Sequence, residues 1–209
     1  PERRAYTVAY QLSDREAQLY TRVTDYVRQE FNRADALEEG QRGTVGFALT
    51  GLQRRLASSP EAIYQSLNNR VDRLERRLAE ERQGRRVPDA PRLTEEDLED
   101  LEDAPEDEFT EAEEEVVDEA TASRTIAELE AEIATLRQLA ELANAVRRSD
   151  RDRKWEELRE LLLENTEMFD ANRSRRKIVI FTEHRATLGY LERKIGALLG
   201  SETVVTIHG

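Results

Sequence analysis

Four consecutive polar residues follow directly after the apolar run "KIVIF" near the end of the chain: Thr182, Glu183, His184 and Arg185. If that run is a strand of a parallel sheet, the four side chains lie at its carboxyl end, where open α/β sheets place their ligand contacts. A second interpretation is local, since Thr182 can cap the following helix and Glu183 favours the positive end of the helix dipole. A metal centre is not expected, because His184 and His208 are the only histidines and neither has a second ligand at metal spacing.

Two basic runs are further candidates for binding chemistry. Arg73, Arg76 and Arg77 stand in the first run, and the second extends from Arg147 to Lys154. Arginine runs of this kind can contact nucleic-acid phosphates through non-specific, salt-dependent attraction. Glutamates interleave with the first run, however, which is common in a solvated helix with internal ion pairs, so both interpretations stay open.

Charge is distributed unevenly along the 209 residues, which carry a formal net charge of −13. Between Asp89 and Glu119, seventeen Asp and Glu residues accompany a single Arg, so this segment alone holds −16 and leaves +3 for the rest of the chain. A segment with so little apolar surface cannot offset its ordering entropy, which predicts a flexible acidic insert. An acidic ligand for a basic partner is the alternative interpretation.

The composition also excludes some classes of site. Without cysteine the chain has no disulfide, no Cys-ligated zinc and no thiol nucleophile. No window of the sequence is apolar enough to cross a bilayer, and no secretory apolar core follows the initial "PERR". We therefore expect a cytoplasmic protein.

The elements that must position these residues are predicted to be mainly helical. Apolar residues recur at helical spacing in six segments, and local signals mark the ends of those segments. The first helix is predicted to begin at a Ser13–Glu16 capping box and to end near Gly40, and a shorter second helix lies around Val45 to Leu56. The third helix begins with a Ser59 cap and ends at Gly84, and the fourth begins at a Thr125–Glu128 capping box. The fifth begins with a Ser149 cap and ends near Asn165, and the last extends from Arg185 to Leu199 and ends at Gly200.

Two of these segments carry narrow apolar stripes that match each other. One stripe is Ile63, Leu67, Val71, Leu74 and Leu78, and the other is Ile126, Leu129, Ile133, Leu136, Ala140 and Ala143. Steps of three and four residues favour pairing with a partner helix. We expect an antiparallel hairpin that projects from the body with the acidic insert near its tip; pairing between chains is also open.

The C-terminal segment predicts a different architecture. "KIVIF" and "TVVTI" are rich in β-branched residues and flank the last helix, which makes a βαβ unit. Two parallel strands alone leave both faces and both edges uncovered, so the unit is expected to begin a larger sheet that the chain cuts short. The predicted fold class is a mainly α helical bundle with a long antiparallel hairpin, ending in an incomplete βαβ unit of an α/β lobe.

This segment resembles the opening of the second RecA-like lobe of superfamily-two helicases and translocases, in the SWI/SNF-type branch that includes HepA-like bacterial helicases. The resemblance rests on "KIVIFTEHRATLGYLERKIGALLG" and "VVTIHG", in which Ile180 to His184 match motif IV and His208 and Gly209 match the end of the next strand. The helix "DRKWEELRELL" resembles the segment before motif IV, and "AYQLSDREAQLYTRVTDYV" resembles the segment after the first lobe. The middle of the chain would then be a helical insertion between the lobes.

The resemblance implies four regions: a helical region at 1–87, an acidic insert at 88–122, a helical return arm and lead-in helix at 123–170, and the truncated start of the second RecA-like lobe at 171–209. It also implies contacts with nucleic acid, expected to be double-stranded DNA, by Thr182, Glu183, His184, Arg185, His208 and Gly209, and Arg73, Arg76 and Arg77 join these as basic candidates. ATP and Mg²⁺ would be cofactors of the parent protein, and its first RecA-like lobe would be a partner. The G-x-x-x-x-G-K-[ST] phosphate loop, the acidic pair and the arginine motif are missing from this sequence, so it is not expected to hydrolyse ATP alone.

Two hypotheses about function result. The first is a fragment of an ATP-dependent DNA helicase or translocase that supplies the helical insertion between motor lobes and the motif IV region. The alternative is a non-enzymatic coiled-coil interaction module whose acidic segment binds a basic protein.

Overall fold

The computed structural model describes residues 7–34, 39–84, 125–149 and 152–207. These residues are mainly helical, as predicted, and form six α-helices: α1 (Asp14–Ala34), α2 (Glu39–Ser58), α3 (Pro60–Arg82), α4 (Ile126–Arg148), α5 (Arg153–Glu164) and α6 (Arg185–Leu199). Two single-turn 3-10 helices, Thr166–Met168 and Ser201–Thr203, follow α5 and α6. The predicted acidic insert at 88–122 lies outside the described residues.

Helix ends form where short-range capping chemistry is available. The predicted capping box of α1 is present, because the Glu16 N–H donates to Ser13 Oγ at 3.4 Å and the Ser13 N–H donates to Glu16 Oε2 at 2.8 Å. Ser59 caps α3 by accepting from the N–H of Ala62 at 3.1 Å, and Gly84 follows that helix with a φ of 65°. These bonds satisfy backbone donors that have no partner inside the helix.

Three helix boundaries differ from the prediction. α1 ends at Ala34 rather than near Gly40, which lies in the first turn of an α2 that is longer than expected. α2 continues through its glycines because it packs against α1 and α3, and packing contributes more to helix stability than propensity does. Ser149 does not cap α5; its hydroxyl donates to the carbonyl of Val146 at the end of α4. Asp152 caps α5 instead, since a carboxylate is the stronger acceptor at the positive end of a helix.

α3 and α4 form the predicted antiparallel hairpin within one chain. Arg82 pairs with Glu130 at 2.5 Å near one end of the hairpin, and Arg137 pairs with Glu75 at 2.6 Å further along. Both apolar stripes are buried apart from Ile126, which is exposed at the start of α4. The stripes therefore pair within the chain.

α1 and α2 pack on the hairpin and complete a four-helix bundle. One core cluster contains apolar residues of all four helices, among them Val23, Leu52, Ile63 and Leu136, each at most 3% exposed. The hairpin shares its core with α1 and α2 instead of projecting alone. Burying this further apolar surface stabilises the bundle by about 25 cal/mol per Å².

A buried polar triad crosses the bundle core. Glu132 on α4 accepts from the Tyr26 hydroxyl of α1 at 2.8 Å and from Arg70 of α3 at 2.7 Å, and Arg70 Nε donates to the Tyr26 oxygen at 2.9 Å. Burial raises the pKa of Tyr26 well above its ordinary value of 10.0, and the nearby Glu132 carboxylate adds to this while Arg70 opposes it. Because each polar atom has its partner on another helix, the triad ties α1, α3 and α4 to one relative position.

The two segments predicted as strands do not form strands in the described part of the chain. Residues 177–182 and 204–207 have no ladder hydrogen bonds there, and the one isolated β-bridge among the described residues joins Phe169 to Arg175. A strand needs a neighbour to pair with, and the described residues supply none to either segment. Several apolar side chains of these segments are 73% to 91% exposed: Val179, Phe181, Val205 and Ile207.

Candidate functional site

The start of α6 packs against one end of the four-helix bundle. The N-cap of α6 is His184, which is buried and has an extended backbone with φ −111° and ψ 131°. Thr182, the cap expected from local chemistry, stands two residues before that position. Of the predicted site residues at this turn, Glu183 and Arg185 are exposed and Thr182 is half-buried.

A cleft of about 450 Å³ lies where the turn meets the bundle. Thr182 and Glu183 line it on the side of α6, and Arg54 and Lys154 line it on the side of α2 and α5. A cleft that combines apolar walls with a few convergent polar groups is the usual form of a ligand site. Its apolar lining consists of Ala57, Trp155, Leu158, Phe181 and Leu191.

Three hydroxyls hold α6 to the corner between α2 and α3. Thr187 Oγ1 lies 2.7 Å from Ser58 Oγ and 2.8 Å from Ser59 Oγ. Thr187 and Ser59 are buried, which protects the bond between them from water, whereas Ser58 is half-buried. Since Ser59 also caps α3, the first turns of α3 and α6 are held at a fixed separation.

A second polar contact joins α6 to α5. The Tyr190 hydroxyl donates to Asp152 Oδ2 at 2.8 Å, and Asp152 Oδ1 accepts from the N–H of Trp155 at 3.1 Å. One carboxylate therefore uses one oxygen to cap α5 and the other to position α6. Trp155 is buried, in agreement with its predicted role as a core residue.

Charged side chains stand at the opening of the cleft. Arg54 Nη1 lies 3.9 Å from Glu183 Oε1, and the two side chains are 43% and 61% exposed. An ion pair this exposed stabilises the fold by at most about 1 kcal/mol, so a polyanion can compete for Arg54. Lys154 donates to the carbonyl of Ala57; burial lowers the pKa of its amine, and the carboxylate of Asp152 opposes that shift.

The structure does not bring Arg73, Arg76 and Arg77 to this cleft. They lie 13 to 17 positions beyond Pro60 on α3, about 20 to 25 Å along the helix axis from the cleft end. Arg76 is exposed, whereas Arg73 and Arg77 are half-buried. The predicted site residues therefore fall into two separate groups.

Two members of the second basic run form ion pairs near the α4–α5 connection. Arg147 Nη1 lies 3.3 Å from Glu61 Oε1, and Arg153 Nη1 lies 2.6 Å from Glu156 Oε2. Lys154 is the member of this run that lines the cleft. These contacts help to stabilise this end of the bundle, and Arg54 and Lys154 are the cations that line the cleft.

Sequence analysis missed the bundle side of the cleft. The contacts of Thr187 with Ser58 and Ser59 join residues 129 and 128 positions apart, which no periodic pattern marks. The available signal was Thr187 and Tyr190 themselves, two residues with hydroxyls three positions apart and hence on one face of α6. The remaining predicted site residues, His208 and Gly209, lie outside the described residues.

Comparison of the chain with protein-family models, with curated proteins and with solved structures finds no match in any of the three. Within the described ranges, no helix combines the length and apolar character needed to cross a membrane. Groups of three or more His, Cys, Asp or Glu residues that could hold a metal ion are also absent from the described part of the chain. The cleft is lined by two cations, two carboxylates (Asp152 and Glu183) and several hydroxyls beside an apolar wall, so its chemistry suits a ligand with both polar and apolar parts.

Proposed function

We propose that these residues belong to an ATP-dependent DNA helicase or translocase. The four-helix bundle is then the insertion between two motor lobes, and the C-terminal segment begins the second, RecA-like lobe. The observation that carries the proposal is the exposure of apolar side chains on both sides of α6, at Val179, Phe181, Val205 and Ile207. ATP hydrolysis requires a phosphate loop and an acidic pair that this sequence lacks, so the chemistry belongs to the parent protein.

Residues 178–181 have the composition of a strand that is buried on both faces. Alternate side chains of a strand point to opposite faces, and both alternate sets are apolar here. Ile178 and Ile180 make up one set and are each 37% exposed, while Val179 and Phe181 make up the other. A strand with one face in solvent needs apolar side chains only on its other face. Apolar side chains on both faces therefore favour an inner strand of a parallel sheet.

α6 has the form of a crossover helix with two functional faces. Its buried residues, Thr187 and Tyr190, meet the bundle, whereas Leu188, Leu191 and Ile195 stay partly exposed. The crossover helix of a βαβ unit lies against its sheet, which would cover that apolar stripe. Strands that follow each other in a doubly wound sheet can be separated by another strand, so the two segments need not pair with each other.

The proposed nucleic-acid contact is the opening of the cleft. Arg54 and Lys154 supply cations there beside the carboxylates of Asp152 and Glu183, and Thr182 supplies a hydroxyl. Arg185 does not line the cleft but is the exposed first residue of α6, and backbone N–H groups at a helix N-terminus favour phosphate oxygens. Contacts of this kind bind the backbone of DNA without reading its sequence and weaken as salt rises.

Binding of a fluorescent DNA duplex at increasing salt concentration tests this assignment. Arg54→Ala and Arg185→Ala are each expected to weaken binding and to reduce the slope of log K against log salt by about one. Arg76→Ala is the matched control, an exposed arginine about 24 Å along α3 from the cleft end, and it should leave binding unchanged. The assignment fails if the duplex shows no salt-dependent binding, or if Arg76→Ala weakens binding while Arg54→Ala and Arg185→Ala do not.

A non-enzymatic coiled-coil module is the second candidate function. Its seam would be the apolar stripe of α3, but in this structure α4 covers that stripe within the chain. Buried stripe residues cannot pair with a second chain unless the bundle opens, which favours the motor proposal. Sedimentation equilibrium tests this candidate: a stable dimer would favour the coiled coil, and a monomer would exclude pairing between chains.

A further inference from the structure

The two buried residues of α6, Thr187 and Tyr190, both carry hydroxyl groups. Thr187 hydrogen-bonds to the corner between α2 and α3, and Tyr190 donates to Asp152 at the N-cap of α5. A hydrogen bond fixes direction as well as distance, and a buried polar group that loses its partner costs free energy. We name this contact the α6 joint, and it consists of Ser58, Ser59, Asp152, Thr187 and Tyr190.

Glu61 connects the same region to both helices of the hairpin. Its largely buried carboxylate is in the first turn of α3, 3.3 Å from Arg147 of α4 and 3.8 Å from Arg193 of α6. Arg147 is the more buried cation of the two, so its pairing is the less screened by water. A rotation of α6 relative to α3 and α4 would therefore break hydrogen bonds and also separate charges.

We propose that the α6 joint makes the Thr182–Arg185 turn and the four-helix bundle one mechanical unit in which the bundle, along the length of its α3–α4 hairpin, is a lever arm. This rests on the proposed function, because the turn must move when the motor lobes close. α3 has 23 residues and is about 34 Å long. A rotation of α6 by about 10° would displace the far end of the hairpin by about 6 Å, given that length. A small movement at the nucleic acid becomes a larger movement at the end near Gly84.

Distances between paired spin labels in the 209-residue chain test the joint, because the absence of native cysteine lets two labels be placed freely. Glu80→Cys near the far end of α3 and Glu192→Cys on α6 are both exposed positions, and this pair measures the joint. Glu80→Cys with Glu141→Cys lies within the hairpin and reports whether the bundle is intact. Both pairs are expected to give one narrow distance distribution in the otherwise unmodified chain.

Two substitutions remove the hydroxyls of the joint and keep the shape of the side chains. Thr187→Val with Tyr190→Phe is expected to broaden the Glu80–Glu192 distribution at least twofold and to leave the pair within the hairpin unchanged. Thr135→Val is the matched control; it removes an exposed hydroxyl bonded within α4 and should broaden neither distribution. The proposal would be overturned if the double variant left the Glu80–Glu192 distance distribution unchanged. A broad distribution in the chain that keeps Thr187 and Tyr190 would also overturn it.

The joint and the motor assignment fail in different ways. A narrow distribution without salt-dependent DNA binding supports a rigid joint and removes the motor role of the lever. DNA binding together with a broad distribution removes the joint and leaves the DNA interface in place.

Discussion

Replacing Glu132 by leucine removes the central acceptor of the buried triad. The Arg70 guanidinium, whose side chain is 7% exposed, then loses the carboxylate oxygen 2.7 Å away, and the Tyr26 hydroxyl loses an acceptor at 2.8 Å. Breaking a buried pair by removing one partner costs about 3 to 5 kcal/mol, because the remaining charge stays buried and uncompensated. We expect Glu132→Leu to lower the free energy of unfolding by that amount.

A triple variant separates the cost of an unpaired charge from the cost of altered packing. Tyr26→Phe, Arg70→Met and Glu132→Leu together remove the polar atoms of the triad and roughly keep the side-chain volume. Apolar replacement of a whole buried ion pair is often neutral, or stabilising by about 1 to 4 kcal/mol. The triple variant is therefore expected to be within about 1 kcal/mol of the unmodified chain or more stable than it.

Urea unfolding followed by circular dichroism measures both variants. The single variant should also unfold at a temperature about 6 to 20 °C lower, at about 2 to 4 °C per kcal/mol for a chain of this size. Glu130→Leu is the matched control, because the Glu130 carboxylate pairs with Arg82 on the exposed face of the hairpin. Its loss should lower the free energy of unfolding by no more than about 1 kcal/mol. A Glu132→Leu cost no larger than that of the control, or a triple variant as unstable as the single one, would refute the reasoning.

Leu136→Ala empties a fully buried site between α3 and α4 and is expected to cost about 2 to 5 kcal/mol in urea unfolding. Thr125→Ala removes the capping box that α4 forms with Glu128 and should lower stability by about 1 kcal/mol, seen as a lower urea midpoint. Burial raises the pKa of Tyr20 and Tyr26, so their contribution to stability is complete below pH 10.0 and is lost as the pH rises through the raised values. Above pH 10.0 the unfolded chain binds fewer protons than the folded chain, and alkaline unfolding followed with tyrosinate absorbance checks this.

Each of these outcomes has its own control. Thr135→Ala changes an exposed neighbour of Leu136 and should leave stability within about 0.5 kcal/mol, so an equal loss would contradict the cavity argument. Thr21→Ala removes an exposed hydroxyl inside α1, and a loss matching that of Thr125→Ala would show that capping is not the cause. Tyr26→Phe should reduce the fall in the free energy of unfolding above pH 10.0. If stability depends on pH in the same way in this variant, the Tyr26 phenol does not contribute.

Signals within one helical turn predicted much of the secondary structure. Ser59 capping α3 and the Thr125–Glu128 box are present as expected, because each involves groups at most three positions apart. Two of the errors arose where nearby residues compete for one position; the others were the boundary between α1 and α2 and the predicted strands, which do not form among the described residues. Asp152 rather than Ser149 caps α5, and His184 rather than Thr182 occupies the N-cap of α6.

The candidate site was predictable only on one side. The turn around Thr182 and Glu183 was found because it follows an apolar run, where ligand contacts of α/β sheets lie. Arg54 and Lys154 were not assigned to it, since their place beside the turn depends on how α2 and α5 pack against α6. The triad was missed for the same reason: a lone Glu or Arg on a helix does not indicate a buried partner on another helix.

By itself the sequence determined the helical content, most helix ends, the two apolar stripes and the apolar character of the C-terminal segments, because periodicity and capping act over at most a few residues. The tertiary structure alone decided that the two stripes pair within one chain, that α1 and α2 share the core of the hairpin and that Glu132 meets Tyr26 and Arg70. It also decided that Thr187 holds α6 to the corner between α2 and α3 and that Tyr190 holds it to Asp152 at the start of α5. Such contacts join residues from 38 to 129 positions apart. They depend on which surfaces bury each other once the intervening chain is closed, and that selection leaves no local pattern in the sequence.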